Sequence, residues 1–569
     1  MSAQEEKFAV VIVGAGPCGL MLALELGRRN IAVLLVDAKS GTAFNPQANA
    51  TQARTMEHFR RLGFAKAIRA QGLPPDHPTD IAYFTRVFGH ELARLRLPTA
   101  AQANQAIQAM SGSWSAAELP HRVSQKFVEA TMLEQVRQCP SVSIRFGHRV
   151  SHFSQHESGV SATVQRVGAS GLAQDQEQIQ AEFLVGADGA RSMVRRALGL
   201  SWKGETGTKR DFMGGTMFAV YFKASSFYQL FSHDLAWMYV TVNAQRRAFM
   251  ATVDGRGEFA LHAAVHNNEE AENWGPEDAQ RIVDQALGTH LPIEVKSVGT
   301  WLAGHALYAE KFQDRRVFLG GDAAHLFTPT GGLGYNTAVE DAVNLGWKLA
   351  HVLGGIAPAA LLDSYAQERL PLARRNTSIA RAFADSIGLF PASEQLEADS
   401  DAGALERSRA GEHLDRHVRL EFNIPGVTFG GRYDDSTAII SDGTVPPPDQ
   451  ANAYQPSACP GGRPPHLWLG KDDSLYDHFG PEWTLLVMSE QAFGVEKLQS
   501  EAMERRLSLH VLRLHRSDLL ALYERSMVLI RPDQIVAWRS DTVTDAGAIW
   551  DALLCQTPAP RAGSTRPKQ

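Results

Sequence analysis

Gly14, Gly16 and Gly19 punctuate the run Val11-Ile12-Val13-Gly14-Ala15-Gly16-Pro17-Cys18-Gly19, and Asp37 closes the next apolar run. Each glycine has a separate physical task. Gly14 permits a tight turn, Gly16 lets backbone amides approach a pyrophosphate, and Gly19 lets a helix pack closely on a strand. The helix starting here would add free N–H groups and partial positive charge. Asp37 can accept hydrogen bonds from two ribose hydroxyls, which favours an unphosphorylated ribose. The constellation points to an adenine dinucleotide, NAD or FAD. Ala15, Pro17 and Cys18 complete the turn, and Ala38 and Lys39 lie beside Asp37.

Two further turns carry aspartates. Leu184-Val185-Gly186-Ala187-Asp188-Gly189 reads as a strand entering an Asp-Gly turn, with a helix from about Ser192. Asp and Gly are ordinary turn residues, so alone this motif leaves a plain strand-to-helix connection open. The run from Arg316 to Gly321 reads as a buried strand that delivers Asp322 at its carboxyl end. An aspartate there can accept a bond from a ribityl hydroxyl. The stretch Pro329-Thr330-Gly331-Gly332-Leu333-Gly334-Tyr335-Asn336 then opens a helix, whose amides would stabilise negative charge on a reduced flavin. His325 has no ligand partners at useful spacing and reads as structural.

These turns need a frame. Phe8–Val13 and Ile31–Val36 read as buried parallel strands joined by a helix over Leu20–Arg29, one βαβ unit. Ile81–Leu97 alternates like a strand, and Ser124–Arg137 reads as a helix. Strands are expected at Val142–Phe146, Val160–Gln165 and Phe183–Val185. The aromatic and β-branched stretch Asp211–Val265 predicts several antiparallel strands. Helices are expected over Asn336–Leu353 and Leu361–Ala384, and 393–416 is helix-prone. The proline-rich Val445–Pro465 reads as a linker. Strands at Trp483–Met488, Leu507–Leu514 and Ser526–Ile530, with helices between them, predict a small separate α/β domain.

The 569 residues allow two to four domains, by the rough rule of about 150 residues each. A net charge of −6 gives no electrostatic reason to expect nucleic acid or an anionic membrane as partner. Cys18, Cys139, Cys459 and Cys555 lie at neither metal-ligand nor redox spacing, so no metal site is expected and a reducing, cytoplasmic compartment fits. The apolar stretch Phe8–Leu26 is broken by glycines, Pro17 and Glu25, which favours strand–turn–helix over a membrane span.

The three motifs, in this order, resemble the class A flavoprotein aromatic hydroxylases, the para-hydroxybenzoate hydroxylase fold, over the whole chain. Arg54 resembles the family arginine that approaches the FAD phosphates, and Gln125 the glutamine that reaches the flavin side. Tyr365-Ala366-Gln367-Glu368-Arg369-Leu370-Pro371 is similar to a family helix landmark. Gly431-Arg432-Tyr433, Gly461-Gly462-Arg463, Arg531-Pro532-Asp533 and Trp538-Arg539 resemble the phenol-hydroxylase branch. There the C-terminal part is a thioredoxin-like domain without redox cysteines.

The resemblance implies an α/β fold in which a Rossmann-type FAD-binding domain (1–80, 105–205 and 297–395) is interleaved with a β-sheet substrate domain (81–104 and 206–296). A connecting segment (396–450) and a thioredoxin-like domain (451–569) follow. It implies a cytoplasmic homodimer, a cofactor seat made by the turn residues above with Arg54, Gln125, Asp188, Asp322, Pro329, Gly332, Leu333, Gly334 and Asn336, and transient NADH or NADPH. No second strand–Gly-x-Gly-x-x-Gly–helix unit exists to hold the nicotinamide cofactor. The implied reaction is hydroxylation of a phenol or related aromatic with molecular oxygen, through a flavin C4a-hydroperoxide. Baeyer–Villiger oxygenation, epoxidation, modification of a polyketide or antibiotic, and an inactive flavin-binding scaffold are the alternatives.

Two departures concern catalysis. Some phenol hydroxylases of the branch carry a polar group five positions before the arginine matched by Arg54. Here it is Asn49, which cannot serve as a base. Tyr239, in the expected substrate sheet, can hydrogen-bond a phenol oxygen, although an ordinary sheet residue is the simpler reading. His233 and Asp211 stand in the same position.

Overall fold

The computed structural model describes residues 6–168, 173–206, 210 and 212–556. Asp211 lies outside the described residues. The chain divides into two compact units. The first comprises Met1–Val343, Ala373–Phe429 and Gln450–Tyr454. The second comprises Asn344–Leu372, Gly430–Asp449 and Gln455–Gln569.

In the first unit the apolar runs at Val10–Val13 and Val33–Val36 lack alternation, because both of their faces are covered. The strands Val317–Leu319, Ala173–Gly186, Glu6–Val13, Val33–Asp37 and Val142–Phe146 form a parallel sheet in that order. Register decides what this sheet delivers. Val13 pairs with both Val36 and Gly186, and Gly186 pairs with Leu319. Gly14, Asp37, Ala187 and Gly320 therefore leave the sheet side by side at its carboxyl edge, where open α/β sheets bind ligands. A strand that goes unread in the sequence, His148–His156, pairs with Gly159–Val167.

A second, seven-stranded sheet carries the aromatic stretch. Its order is Glu294–Leu302, Thr216–Lys223, Glu258–Ala264, Ala248–Thr252, Met238–Thr241, Ile81–Phe84, Glu91–Leu95. It is antiparallel except where Met238–Thr241 meets Ile81–Phe84 in parallel. The expected single run Ile81–Leu97 is a hairpin. The strand Glu294–Leu302 crosses the expected boundary at 296. One face of the sheet packs Phe218, Tyr239, Met250 and Leu261 against Ile282 and Val283 of the helix Pro276–Leu287. The other face gathers Met217, Trp237, Val240 and Phe249 with Tyr83 and Ala50.

The expected connecting segment 396–450 is largely a helix, Asp401–Phe422, within the first unit as far as Phe429. Ala410, Leu414 and Val418, spaced at four, form the buried stripe that joins it to this second face.

The second unit holds a four-stranded sheet, Leu509–Arg513, Trp483–Val487, Met527–Ile530, Val536–Ser540. The first pair is parallel and the others antiparallel, with helices Val495–Glu504 and Ser517–Tyr523 between strands and Ala546–Leu553 after them. This is the thioredoxin-like order, and its cysteines are free. Trp347, Trp483 and Trp550 meet edge to face at 5.7 and 5.0 Å in its core.

No helix among the described residues is long and apolar enough to cross a membrane.

Candidate active site

At the carboxyl edge of the parallel sheet the three glycines divide their tasks as chemistry requires. Gly14 has φ of +106°, and a Cβ there would lie 2.2 Å from the Ala187 carbonyl oxygen. A Cβ on Gly19 would lie 1.8 Å from the Gly14 carbonyl oxygen. A Cβ on Gly16 would meet nothing within 4 Å. Two of the glycines make the turn possible and the third keeps open the space above it. Pro17 begins the helix Pro17–Gly27 without requiring an N–H partner.

Asp37 fixes the turn from the neighbouring strand. Its carboxylate accepts from the Ala15 amide at 2.7 Å and from the Lys39 amide at 2.8 Å. A carboxylate offers about four lone-pair sites, so acceptor capacity remains.

One oxygen of Asp188 accepts from the Ser192 hydroxyl at 2.5 Å, the other from the Met193 and Val194 amides at 2.7 and 3.1 Å. Its side chain caps the helix Met193–Ala197. Gly189, at φ +77°, makes the turn.

Asp322 opens the short turn Gly321–Ala323. Its side chain is exposed to solvent, yet the surrounding protein is dense enough that burial raises its carboxyl above the ordinary value, against the pull of His325. Behind it Asp341 accepts from the Gly321 amide at 3.0 Å and bonds His325 Nε2 at 2.6 Å. His325, fully buried, is structural, as its spacing suggested.

The glycine-rich loop is held rigidly. Gly331 donates to Glu421 at 2.9 Å and accepts from Gln52 at 3.0 Å, and Thr330 donates to the Ala380 carbonyl at 2.6 Å. Asn336 is the clasp. Its amide donates to Ala50 and Gly332 carbonyls at 3.0 and 2.7 Å and accepts from the Gln52 amide and Thr55 hydroxyl at 2.9 and 2.7 Å. All four bonds of that side chain are made within the protein, which leaves the backbone of Asn336 as its means of reaching a cofactor. Thr51 and Tyr335 hydroxyls meet at 2.7 Å. Pro329, Gly332, Leu333 and Gly334 thus stand on a fixed segment at the start of the helix Leu333–Leu353.

Arg54 is buried and pairs with Glu57 at 3.1 Å. Gln125 opens its helix by donating its backbone N–H to Ala48 at 2.7 Å and its side chain to Glu129 at 2.7 Å. Between these anchors the buried Asn49 Oδ1 has no hydrogen-bond partner, an acceptor without a donor. Tyr239 is a core residue. It is fully buried on the sheet face turned to Pro276–Leu287, its hydroxyl accepts from the Ala236 amide at 3.0 Å, and burial pushes its phenol well above the ordinary value. His233 packs on Phe84 and Phe231 of the same region. Side-chain alternation hides this: a sequence locates a strand more readily than which of its faces is which.

The opposite face holds residues the sequence reading passed over. His262 stacks on Phe249 at 4.6 Å, and its Nδ1 accepts from the Trp301 indole N–H at 3.0 Å. An indole only donates, so the imidazole proton resides on Nε2. Burial lowers His262 to about 4. Its folded pKa lies below the unfolded value of about 6.5, so it contributes stability in full above that pH and loses it as pH falls toward 4. The expected size is about 3 kcal/mol. Unfolding midpoints between pH 6.5 and 4.5 should fall more steeply for the native chain than for His262→Phe, and equal slopes would refute the assignment.

The residues fit FAD: space above Gly16, a solvent-exposed Asp322 at the end of its strand, an orphaned acceptor at Asn49 and a pinned helix start. Comparison with known proteins agrees. Residues 7–380 match the FAD binding domain family, and residues 457–555 match the aromatic-ring hydroxylase C-terminal domain. The chain is 28% identical to 2,4-dichlorophenol 6-monooxygenase of Delftia acidovorans, over 93% of this chain and 94% of that one. It is 30% identical to tetracenomycin B2 monooxygenase-dioxygenase of Streptomyces olivaceus, over 97% and 98%. Among solved structures it superposes on the rebeccamycin biosynthetic enzyme RebC with reduced flavin at a TM-score of 0.85, with 32% identity over 97% of this chain and 99% of that one.

Proposed function

Because this chain belongs to the FAD-dependent aromatic-ring hydroxylases, a family of single-component flavoprotein monooxygenases, we propose that it hydroxylates a phenol or a related electron-rich aromatic, using NADH or NADPH and molecular oxygen. The observation that carries the reading is the convergence of Gly14, Asp37, Ala187 and Gly320 on one sheet edge beside the pinned loop Gly331–Gly334. The relatives span simple phenols and a polycyclic polyketide, so both classes belong in the substrate panel. The branch resemblance carries a cytoplasmic homodimer into the same proposal.

When bound, FAD supplies hydride acceptance and oxygen activation. The chain supplies the rest. The helix start at Pro17–Gly19 and the space above Gly16 would seat the pyrophosphate. The remaining acceptor sites of Asp37 take ribose hydroxyls. Asp322 would accept from the ribityl chain, and the amides at Leu333 and Gly334 would stabilise the negative charge that the flavin gathers on reduction. Asn49 offers an acceptor but takes no proton, so a substrate phenol is not deprotonated there. Neutral His262 keeps a donor, Nε2–H, on the sheet face opposite Tyr239.

Purified protein should oxidise NAD(P)H faster when a suitable phenol or polycyclic phenol is added. No response across a broad panel of both would overturn the substrate class. Asp322→Ala should weaken FAD binding about tenfold or more, the worth of one hydrogen bond to a charged group. Fluorescence titration of the apoprotein reads this directly, and unchanged affinity would remove Asp322 from the seat.

A further inference from the structure

Arg122 is a cation without an anion. Its guanidinium lies 4.2 Å above the ring of Trp237, itself buried. Protein surrounds it closely enough that burial lowers it to about 10, and no charged neighbour contributes to that shift. An enclosed arginine ordinarily meets a carboxylate, because an unpaired buried charge is costly. Arg94 with Asp80, Arg246 with Glu269 and Arg54 with Glu57 do so in the first unit, while Arg195 and Arg247 donate to backbone carbonyls. Arg122 forms no ion pair and no side-chain hydrogen bond among the described residues. Its nitrogens are also absent from the buried, unsatisfied atoms of the protein, so its donors reach solvent-accessible space. A guanidinium carries five N–H donors in a planar fork suited to a carboxylate.

Its position gives those donors an address. His121 and Thr51 exchange backbone bonds at 2.9 and 2.8 Å, and Gln125 is tied to Ala48. Residues 121–125 therefore run along the strap 48–51, whose Ala50 lies 3.3 Å from where a Gly332 Cβ would be and accepts from Asn336. Trp237 belongs with Ala50, Met217 and Phe249 to the sheet face turned away from Tyr239. Arg122 thus stands where the aromatic sheet meets the flavin loop, with its own ring platform.

Resting on the hydroxylase reading above, we propose that Arg122 is a specificity-determining residue and that the substrate is anionic: an aromatic bearing a carboxylate or an ionised, carboxylate-like enol, held by the Arg122 fork. Stacking on Trp237 holds the fork flat and lessens the entropy lost on binding. The charge selects acids over their neutral analogues, a choice the apolar wall cannot make.

The test uses the FAD-loaded full chain and two probe pairs, salicylate with its methyl ester and a hydroxynaphthoate with its methyl ester. Dissociation constants come from perturbation of the flavin spectrum, and KM and kcat from stimulated NAD(P)H oxidation. The native protein should bind each acid about ten- to hundredfold tighter than its ester, the worth of charge-assisted hydrogen bonds. Arg122→Met keeps an aliphatic chain on Trp237 and should abolish that preference with ester binding and flavin content unchanged. Arg122→Lys should restore part of it. Equal binding of acid and ester by the native protein overturns the proposal and leaves the hydroxylase reading standing. So does an Arg122→Met variant that keeps the preference, weakens both ligands equally, or raises only the KM for NAD(P)H. No binding or stimulation by any aromatic overturns both.

Discussion

Gly16→Leu should yield a folded, colourless protein. A Cβ at this position meets no protein atom within 4 Å, so the side chain starts into open space, and its bulk occupies the space the pyrophosphate must enter. Flavin content should fall to background after gel filtration, with the melting temperature of the apoprotein within a few degrees of native. The control lies two residues earlier. Gly14→Val places a β-branched residue at φ +106° with its Cβ inside the Ala187 carbonyl, a local strain of about 1–3 kcal/mol before the clash is counted. That variant should lose stability as well as flavin. Retained flavin in Gly16→Leu, or equal destabilisation of the two, would contradict the placement of the cofactor on this turn.

The second large effect belongs to the other unit. Glu368 is fully buried and accepts both arms of Arg531 at 2.7 and 2.8 Å, Lys348 at 2.6 Å, Asn344 at 2.5 Å and Ser436 at 2.5 Å. Arg531 also pairs with Asp533 at 2.6 Å and lies over Trp347 and Tyr433. Burial alone would raise the Glu368 carboxyl, but Arg531 and then Lys348 overcome it and hold it well below the ordinary range. Burial lowers Lys348 to about 8 against the opposing pull of Glu368. Both partners shift downward because Arg531, not Lys348, is the chief counter-ion.

Glu368→Ala leaves two cations buried beside one carboxylate and should cost about 3–5 kcal/mol in denaturant unfolding of the full chain. Because the folded pKa of Glu368 is depressed, its contribution is present above about pH 4.5 and is lost as pH falls below that. A cost under about 1 kcal/mol would show that the cluster is not a keystone.

The part of this architecture legible in sequence is the part fixed by local rules. Glycines at set offsets and unalternating apolar runs located the turns, the parallel strands and most helices. What stayed hidden depends on pairing at a distance. Arg531 and Glu368 looked like two separate landmarks, and only the fold makes them one cluster. The strands His148–His156 and Glu294–Leu302 are too polar or too exposed to announce themselves by burial. Tyr239 was placed in the right sheet, but which face it takes was not legible, since one residue of register exchanges the two. Asp188 and Asn336 were recognised as important but not as clasps, because a residue's hydrogen-bond partners are not written beside it. Arg122 gave no signal in a run of ordinary polar residues; what distinguishes it is an acid that the fold fails to bring.

Incorporation of labelled oxygen tests the central claim most directly. Purified, flavin-loaded protein, given NAD(P)H, a stimulating aromatic acid and isotopically labelled dioxygen, should place one labelled oxygen atom in the aromatic product for each NAD(P)H consumed, with little hydrogen peroxide. NAD(P)H consumption matched by peroxide, with no label in any product across the panel, would contradict it.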